Sequence, residues 1–360
     1  MSTHVRIVGT GLIGASLGIA LSRTGFRVTL TDPSPTAVRL ARDLGAGELA
    51  ADSAGAPGLI VVAAPPDVAA DVVLAELGRW PEAVVTDVAS VKRAIADAVD
   101  AGGGDLTRYV GSHPMAGRER SGAMAARGDL FDGRAWVVVP TQASTDDAVD
   151  SVRRVAVAAG SVVSVMSADE HDAAVAVVSH VPQVAASLVA GRLRDLPDPA
   201  VALAGQGLRD VTRIAASDPR LWTQILAGNA GAVRDVLRAL RTDLDEVIGA
   251  LDALDTGDGH GALEVVSRTI GQGNVGHARI PGKHGAAPTA YATVVVVVPD
   301  RPGALGSLFT DMGEAGVNLE DLRLEHGLGQ PFGLADVSVL PAAVEQLRRA
   351  LDERGWRVHD

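Results

Sequence analysis

The chain has 360 residues, 47 % of them hydrophobic and 21 % charged, so it is globular and long enough for two or three domains. Its net charge of −12 disfavours nonspecific binding to nucleic acid or to anionic membranes, and an acidic substrate must be held by local cations. Cysteine is absent, which excludes disulfides, thiolate nucleophiles and Cys-ligated metals, and fits a reducing cytoplasm; no metal site is expected.

MSTHVRIVGTG runs straight into a strand pattern with no signal-peptide organisation, and runs such as Val294–Val298 are too short to span a bilayer. Strand patterns at Val5–Val8, Arg27–Thr31, Leu59–Ala63, Val84–Asp87, Tyr109–Gly111, Trp136–Val139 and Ser161–Val165 alternate with helical ones such as Pro35–Leu44 and Val68–Leu77. This alternation predicts an α/β domain over 1–166, a mostly parallel, Rossmann-like sheet covered on both faces. From Ser167 the β pattern stops, and alanine-rich amphipathic stretches predict an all-helical domain over 167–270. Ser167 and Glu170 have capping-box spacing, and Pro182 should kink the first helix against the Val178 carbonyl. Residues 271–290, rich in Gly and Pro, read as a linker; Lys283 and His284 within it have no assigned role. Residues 291–360 give the ferredoxin-like order βαββαβ, with Pro302 placed to start its first helix.

Two segments carry chemistry. Gly9, Gly11 and Gly14 supply G-x-G-x-x-G between a strand and a helix, with Leu12 and Ile13 in the first helical turn. The first glycine allows a tight turn, the second lets backbone approach a pyrophosphate, and the third permits close helix–strand packing. Asp32 ends the second strand about 20 residues on, where an acid binds ribose hydroxyls and repels a 2′-phosphate, so NAD is favoured over NADP. The alternative is a glycine-rich turn with Asp32 capping the next helix. GSHPMAGRERSG, residues 111–122, follows the fifth strand at the carboxyl edge, where ligands bind. TDVASVK places Ser90 at the same edge. A histidine and a serine beside a nicotinamide suit proton handling coupled to hydride transfer. On spacing alone, His113 reads equally as a structural loop histidine.

GTGLIGASLG, TDVASVK, GSHPMAGRERSG, VVSHVPQ and RDVTRIAASDPRLW, in this order, resemble the prephenate/arogenate dehydrogenase family of tyrosine biosynthesis. The tail VVVVVPDRPGALGSLFTDMGEAGVNLEDL is similar to an ACT domain. The resemblance implies a homodimer performing NAD-dependent oxidation of a cyclohexadienol, prephenate or arogenate, with loss of CO2 and aromatisation. It makes His113 the catalytic histidine that takes the hydroxyl proton, Ser90 its orienting partner at the nicotinamide, and Arg213 the clamp on a substrate carboxylate. Asp210 and Glu119 match a gating acidic pair, with Arg118, a departure from the family pattern, beside Glu119. Trp222 matches an aromatic at the pocket mouth, or is interface core. Without the resemblance, Asp210 and Arg213, i and i+3 on a helix, read as a surface ion pair.

Ser179 and Gln183 are expected on one helix face at the substrate, with His180 structural. The family often has a second histidine where this chain has Gln183. A neutral amide tolerates the ammonium of arogenate better than a cationic imidazole does, so Gln183 raises the case for arogenate. The ACT-like tail implies feedback by tyrosine, or else a dimer-forming module that has lost its ligand. With four residues before the first strand, no chorismate mutase domain is expected there. A β-hydroxyacid dehydrogenase would want a helical-domain lysine, and Asp169–Leu254 contains none. A catalytically silent NAD- and amino-acid-binding sensor is the rival from another class.

Overall fold

The computed structural model describes residues 4–51, 55–117, 122–257, 259–280, 291–326 and 331–359. The elements of the first half are β1 (His4–Val8), α1 (Leu12–Arg23), β2 (Arg27–Thr31), α2 (Pro35–Asp43), β3 (Glu48–Leu49), β4 (Leu59–Val62), α3 (Pro66–Arg79), β5 (Val84–Asp87), α4 (Arg93–Ala101), β6 (Val110–Pro114), β7 (Ala135–Pro140), α5 (Asp146–Ala158) and β8 (Val162–Val165). Helices follow: α6 (Ala168–Val175), a π turn (Ala176–His180), α7 (Val181–Gly191), α8 (Asp198–Val201), α9 (Gln206–Thr212), a 3-10 turn (Arg213–Ala215), α10 (Pro219–Gly228), α11 (Ala230–Asp255) and α12 (Ala262–His277). The chain closes with β9 (Ala292–Pro299), α13 (Ala304–Glu314), β10 (Asp321–His326), β11 (Phe332–Val339), α14 (Val344–Glu353) and β12 (Arg357–His359). Two compact units divide at Thr242/Asp243, within α11.

In the first unit a parallel sheet has the order β3-β2-β1-β4-β5. Strand β4, the run LIVV, is apolar and buried throughout because helices cover both faces, and in the middle of β1 Val5 and Ile7 are buried with Arg6, which pairs with Glu76 of α3. A bridge from Val85 to Tyr109 carries the parallel direction into a second sheet, β6-β7-β8. There β6 is antiparallel to β7, and β7 is parallel to β8. The two-residue β3 was not expected, since an exposed Glu-Leu pair has no readable alternation. The expected strand Tyr109–Gly111 instead runs to Pro114. His113 therefore sits in a strand opposite Val137 rather than in a loop.

The Ser167–Glu170 capping box is formed, worth about 1 kcal/mol to the start of α6. Pro182 is accommodated by the π turn, whose wider spacing replaces the expected clash at Val178. The run Ala168–Gly191 is long and apolar enough, by length and composition, to cross a membrane. Yet it buries His171, Asp172, His180 and Gln183, and their partners are protein groups.

In the second unit the expected linker 271–290 is corrected at its start. Residues 271–277 continue α12, because exposed glycines cost only about 1 kcal/mol each in a helix and no proline occurs before Pro281. Lys283 and His284 lie outside the described residues. The C-terminal elements form a four-stranded antiparallel sheet, β10-β11-β9-β12, in the βαββαβ connection. One face packs Val294, Val296 and Val337 against Leu308, Leu347 and Leu351. Gly303, with φ +87°, caps α13, so Pro302 lies in the turn before the helix rather than at its first position.

Candidate active site

The glycine turn is closed by sterics. Gly9 has φ +98°, and a Cβ there would lie 2.4 Å from the Ala63 carbonyl oxygen; one on Gly14 would lie 2.0 Å from the Gly9 oxygen. Gly11, the N-cap of α1, has nothing within 4 Å of where a Cβ would project and offers no side-chain cap. That open cradle at a helix N-terminus, with Leu12, Ile13 and Gly14 in the first turn, fits a pyrophosphate. Asp32 accepts from Thr10 N (2.7 Å) and Thr10 Oγ1 (2.9 Å) through Oδ2, and from Ser34 N (2.8 Å) through Oδ1. It thus ties the turn to β2, while Ser34 caps α2.

At the same edge, β5 and β6 are locked by a buried cluster. Lys92 Nζ donates to Asp87 Oδ1 and to Ser112 O (2.7 Å), while Tyr109 Oη donates to Asp87 Oδ2 (2.7 Å). Lys92, Asp87 and Tyr109 are at most 1 % exposed. Burial draws the Lys92 ammonium below its usual pKa against the pull of Asp87, and burial and Asp87 push the Tyr109 phenol well up. Ser90 is half-buried on the β5–α4 turn that also carries Lys92.

His113 follows Ser112 on β6 and is half-buried. Its Nδ1 lies 2.9 Å from His171 Nε2, and His171 Nδ1 lies 2.7 Å from Asp172 Oδ1. Asp172 also accepts the backbone N–H groups of Lys92 (3.0 Å) and Arg93 (2.9 Å), at the start of α4. Desolvation, then the nearby His171, Lys92 and His180, hold His113 well below the usual imidazole pKa, so it is neutral. Burial alone would raise the Asp172 carboxyl, but His171 and the two backbone donors outweigh it and hold it low.

The other expected residues divide. Gln183 is buried, accepting from Ser217 Oγ (3.3 Å) and donating to Ser187 Oγ (3.4 Å). Ser179 lies half-buried in the π turn, which breaks the single-face spacing expected of a regular helix. His180 is buried, 3.2 Å from Asn229 Nδ2 through Nδ1, and its ring meets Trp222 edge-on at 6.1 Å. Trp222, half-buried on α10, also packs against the apolar cluster of α3, α4 and β5. Asp210 bonds Gln206 Nε2 (2.8 Å). Arg213, expected on the same helix as Asp210, is exposed in the 3-10 turn after α9, because the helix ends at Thr212. Arg118 and Glu119 lie outside the described residues. Sequence reasoning missed His171, Asp172 and Lys92. The signal was an adjacent His-Asp pair running into the apolar stretch of a helix, and a lysine shortly past a buried strand.

A glycine cradle at a helix N-terminus, an acid at the end of β2 and a neutral imidazole on β6, bridged in parallel to the sheet of β2, define an NAD-dependent dehydrogenase. Residues 17–165 match "Prephenate dehydrogenase, nucleotide-binding domain" and residues 167–263 match "Prephenate dehydrogenase, dimerization domain". A probable prephenate dehydrogenase, NovF of Streptomyces niveus, is 38 % identical over 97 % of this chain and 98 % of its own. The Aquifex aeolicus prephenate dehydrogenase complex with hydroxyphenyl propionate and NAD+ superposes with TM-score 0.65, at 27 % identity, over 76 % of this chain and 98 % of that one. Synechocystis arogenate dehydrogenase gives TM-score 0.62, at 26 % identity, over 76 % and 99 %. The chain belongs to the prephenate dehydrogenase family.

Proposed function

We propose that His113 is the base of an NAD-dependent oxidative decarboxylation of prephenate to 4-hydroxyphenylpyruvate. The observation that carries this is a neutral, half-buried imidazole near the carboxyl end of β6, a strand bridged in parallel to the sheet that bears the glycine cradle. Gly9, Gly11, Leu12, Ile13, Gly14, Asp32 and Ser90 hold the dinucleotide, which when bound accepts the hydride from ring C4. His113 takes the C4 hydroxyl proton, and Ser90 orients His113 and contacts the hydroxyl and the nicotinamide. Arg213 supplies the cation that an acidic chain needs for a substrate carboxylate. Ser179, Gln183, Asp210, Glu119 and Trp222 complete the substrate site in this reading. Arg213→Ala raises KM for the substrate roughly 10–100-fold with little change in kcat, the loss of a charge-assisted bond. Steady-state kinetics check this; an unchanged KM places the carboxylate elsewhere.

Arogenate is the second reading. Gln183, buried and uncharged, favours it, and so does the similarity to Synechocystis arogenate dehydrogenase. The βαββαβ unit is an ACT-type module in this reading. A cavity of about 280 Å³ beside Arg301 and the Gly303 cap of α13 suits a small amino acid such as tyrosine. Exposed apolar residues Leu240, Leu244, Ile248 and Leu251 line one stripe of α11; a homodimer covers them. The proposal places the enzyme in the cytoplasm, and an absence of cysteine suits that compartment. Parallel assays of NADH formation with prephenate and arogenate, with and without tyrosine, test these points. NADH from prephenate, suppressed by tyrosine, is expected; silence with both substrates favours the sensor alternative.

A further inference from the structure

We infer that His171 and Asp172 are positioning residues that set the tautomer of His113 and share the proton it takes up. This deepens the reading of His113 as base and rests on it. The argument starts at the carboxylate, which only accepts. Asp172 receives three N–H groups, from Lys92, Arg93 and the His171 ring. The proton of His171 is therefore on Nδ1, and its Nε2 is bare. A bare Nε2 2.9 Å from His113 Nδ1 requires the proton of His113 to be on Nδ1. The lone pair of His113 is then on Nε2, the ring nitrogen not engaged by His171. With the other tautomer, two lone pairs would face each other at that distance.

The chain also moves charge. As the substrate O–H bond breaks, an N–H bond forms at His113 Nε2. The His113 Nδ1 proton can then cross to His171 Nε2, and no other bond changes. The positive charge ends on His171, one hydrogen bond from the carboxylate. Among the described residues, the charged and titratable groups acting on His113 are His171, Lys92 and His180, all of which oppose a second positive charge. Asp172 is the anion at the end of the relay, since Asp87 is already bonded to Lys92 and Tyr109. Asp172 also caps α4, so its replacement disturbs a helix start. His171 is the cleaner site to change.

The test compares His171→Leu with His171→Gln in the full-length enzyme, using ¹⁵N-histidine NMR of the resting protein alongside kinetics. Gln keeps an acceptor near the old Nε2 position but cannot take the proton; Leu offers neither. We expect the His113 Nδ1–H tautomer in the parent, a mixture in His171→Leu, and recovery in His171→Gln. We expect kcat to fall on the order of 10²-fold in His171→Leu, less than the ~10⁴ lost when a carboxylate bonded directly to a catalytic histidine is neutralised. His171→Gln should regain part of it, with NAD+ affinity and thermal transition unchanged. A bare Nδ1 on His113 in the parent, or undiminished kcat in folded His171→Leu, overturns the inference. The NMR result stands apart from the kinetics: a fixed tautomer with full turnover in His113→Asn sinks the base reading while leaving the hydrogen-bond chain in place.

Discussion

His113→Asn lowers kcat by about 10²–10⁴-fold, the contribution of a positioned general base, while NAD+ binds as before. The substitution isolates one atom. An asparagine amide can stand where Nδ1 stood and donate to His171 Nε2, so the packing between β6 and α6 survives. It offers no acceptor where Nε2 stood, so the hydroxyl proton has nowhere to go as hydride leaves. The glycine cradle is shaped by the backbone at Ala63 and Gly9, and Asp32 is held by Thr10 and Ser34, so cofactor affinity should hold. Stopped-flow turnover and NAD+ titration check the two halves, and full turnover would remove His113 from the chemistry.

Lys92→Met destabilises the first unit by about 3–5 kcal/mol, because it leaves the Asp87 carboxylate buried without its cation. For a unit of this size that is a fall of roughly 10 °C in Tm. The loss also frees the Ser112 carbonyl that Lys92 holds, so β6 loosens next to His113 and kcat falls with stability. Lys92→Met combined with Asp87→Asn should recover much of the stability, since the charge and its partner leave together. Calorimetry of the two variants decides it; a Tm within a degree of the parent for Lys92→Met would show that the pair contributes nothing.

The glycine cradle and the Asp32 strand end were legible because backbone sterics impose them: only glycine avoids the Ala63 carbonyl at position 9. The helical domain was legible from its period and from the Ser167–Glu170 cap. The β6 boundary was not, because Gly111 and Pro114 read as loop punctuation while the pairing of Ser112 and His113 with β7 is a tertiary fact. The π turn escaped because a proline in a helix predicts a kink without saying which turn absorbs it. The Asp172–His171–His113 chain joins residues 58 positions apart, and no local pattern encodes it. Gly-rich residues 271–277 were misread because exposed glycines weaken a helix without ending it.

The most direct test is the pH dependence of kcat/KM for NADH formation from prephenate, in the parent and in His113→Asn. A base held well below 6.5 keeps its lone pair as the pH falls through 6.5, so the parent's rate stays level there and declines only at more acidic pH, through one ionisation that His113→Asn abolishes. An acid limb centred at or above 6.5, or one that persists in His113→Asn, contradicts the account.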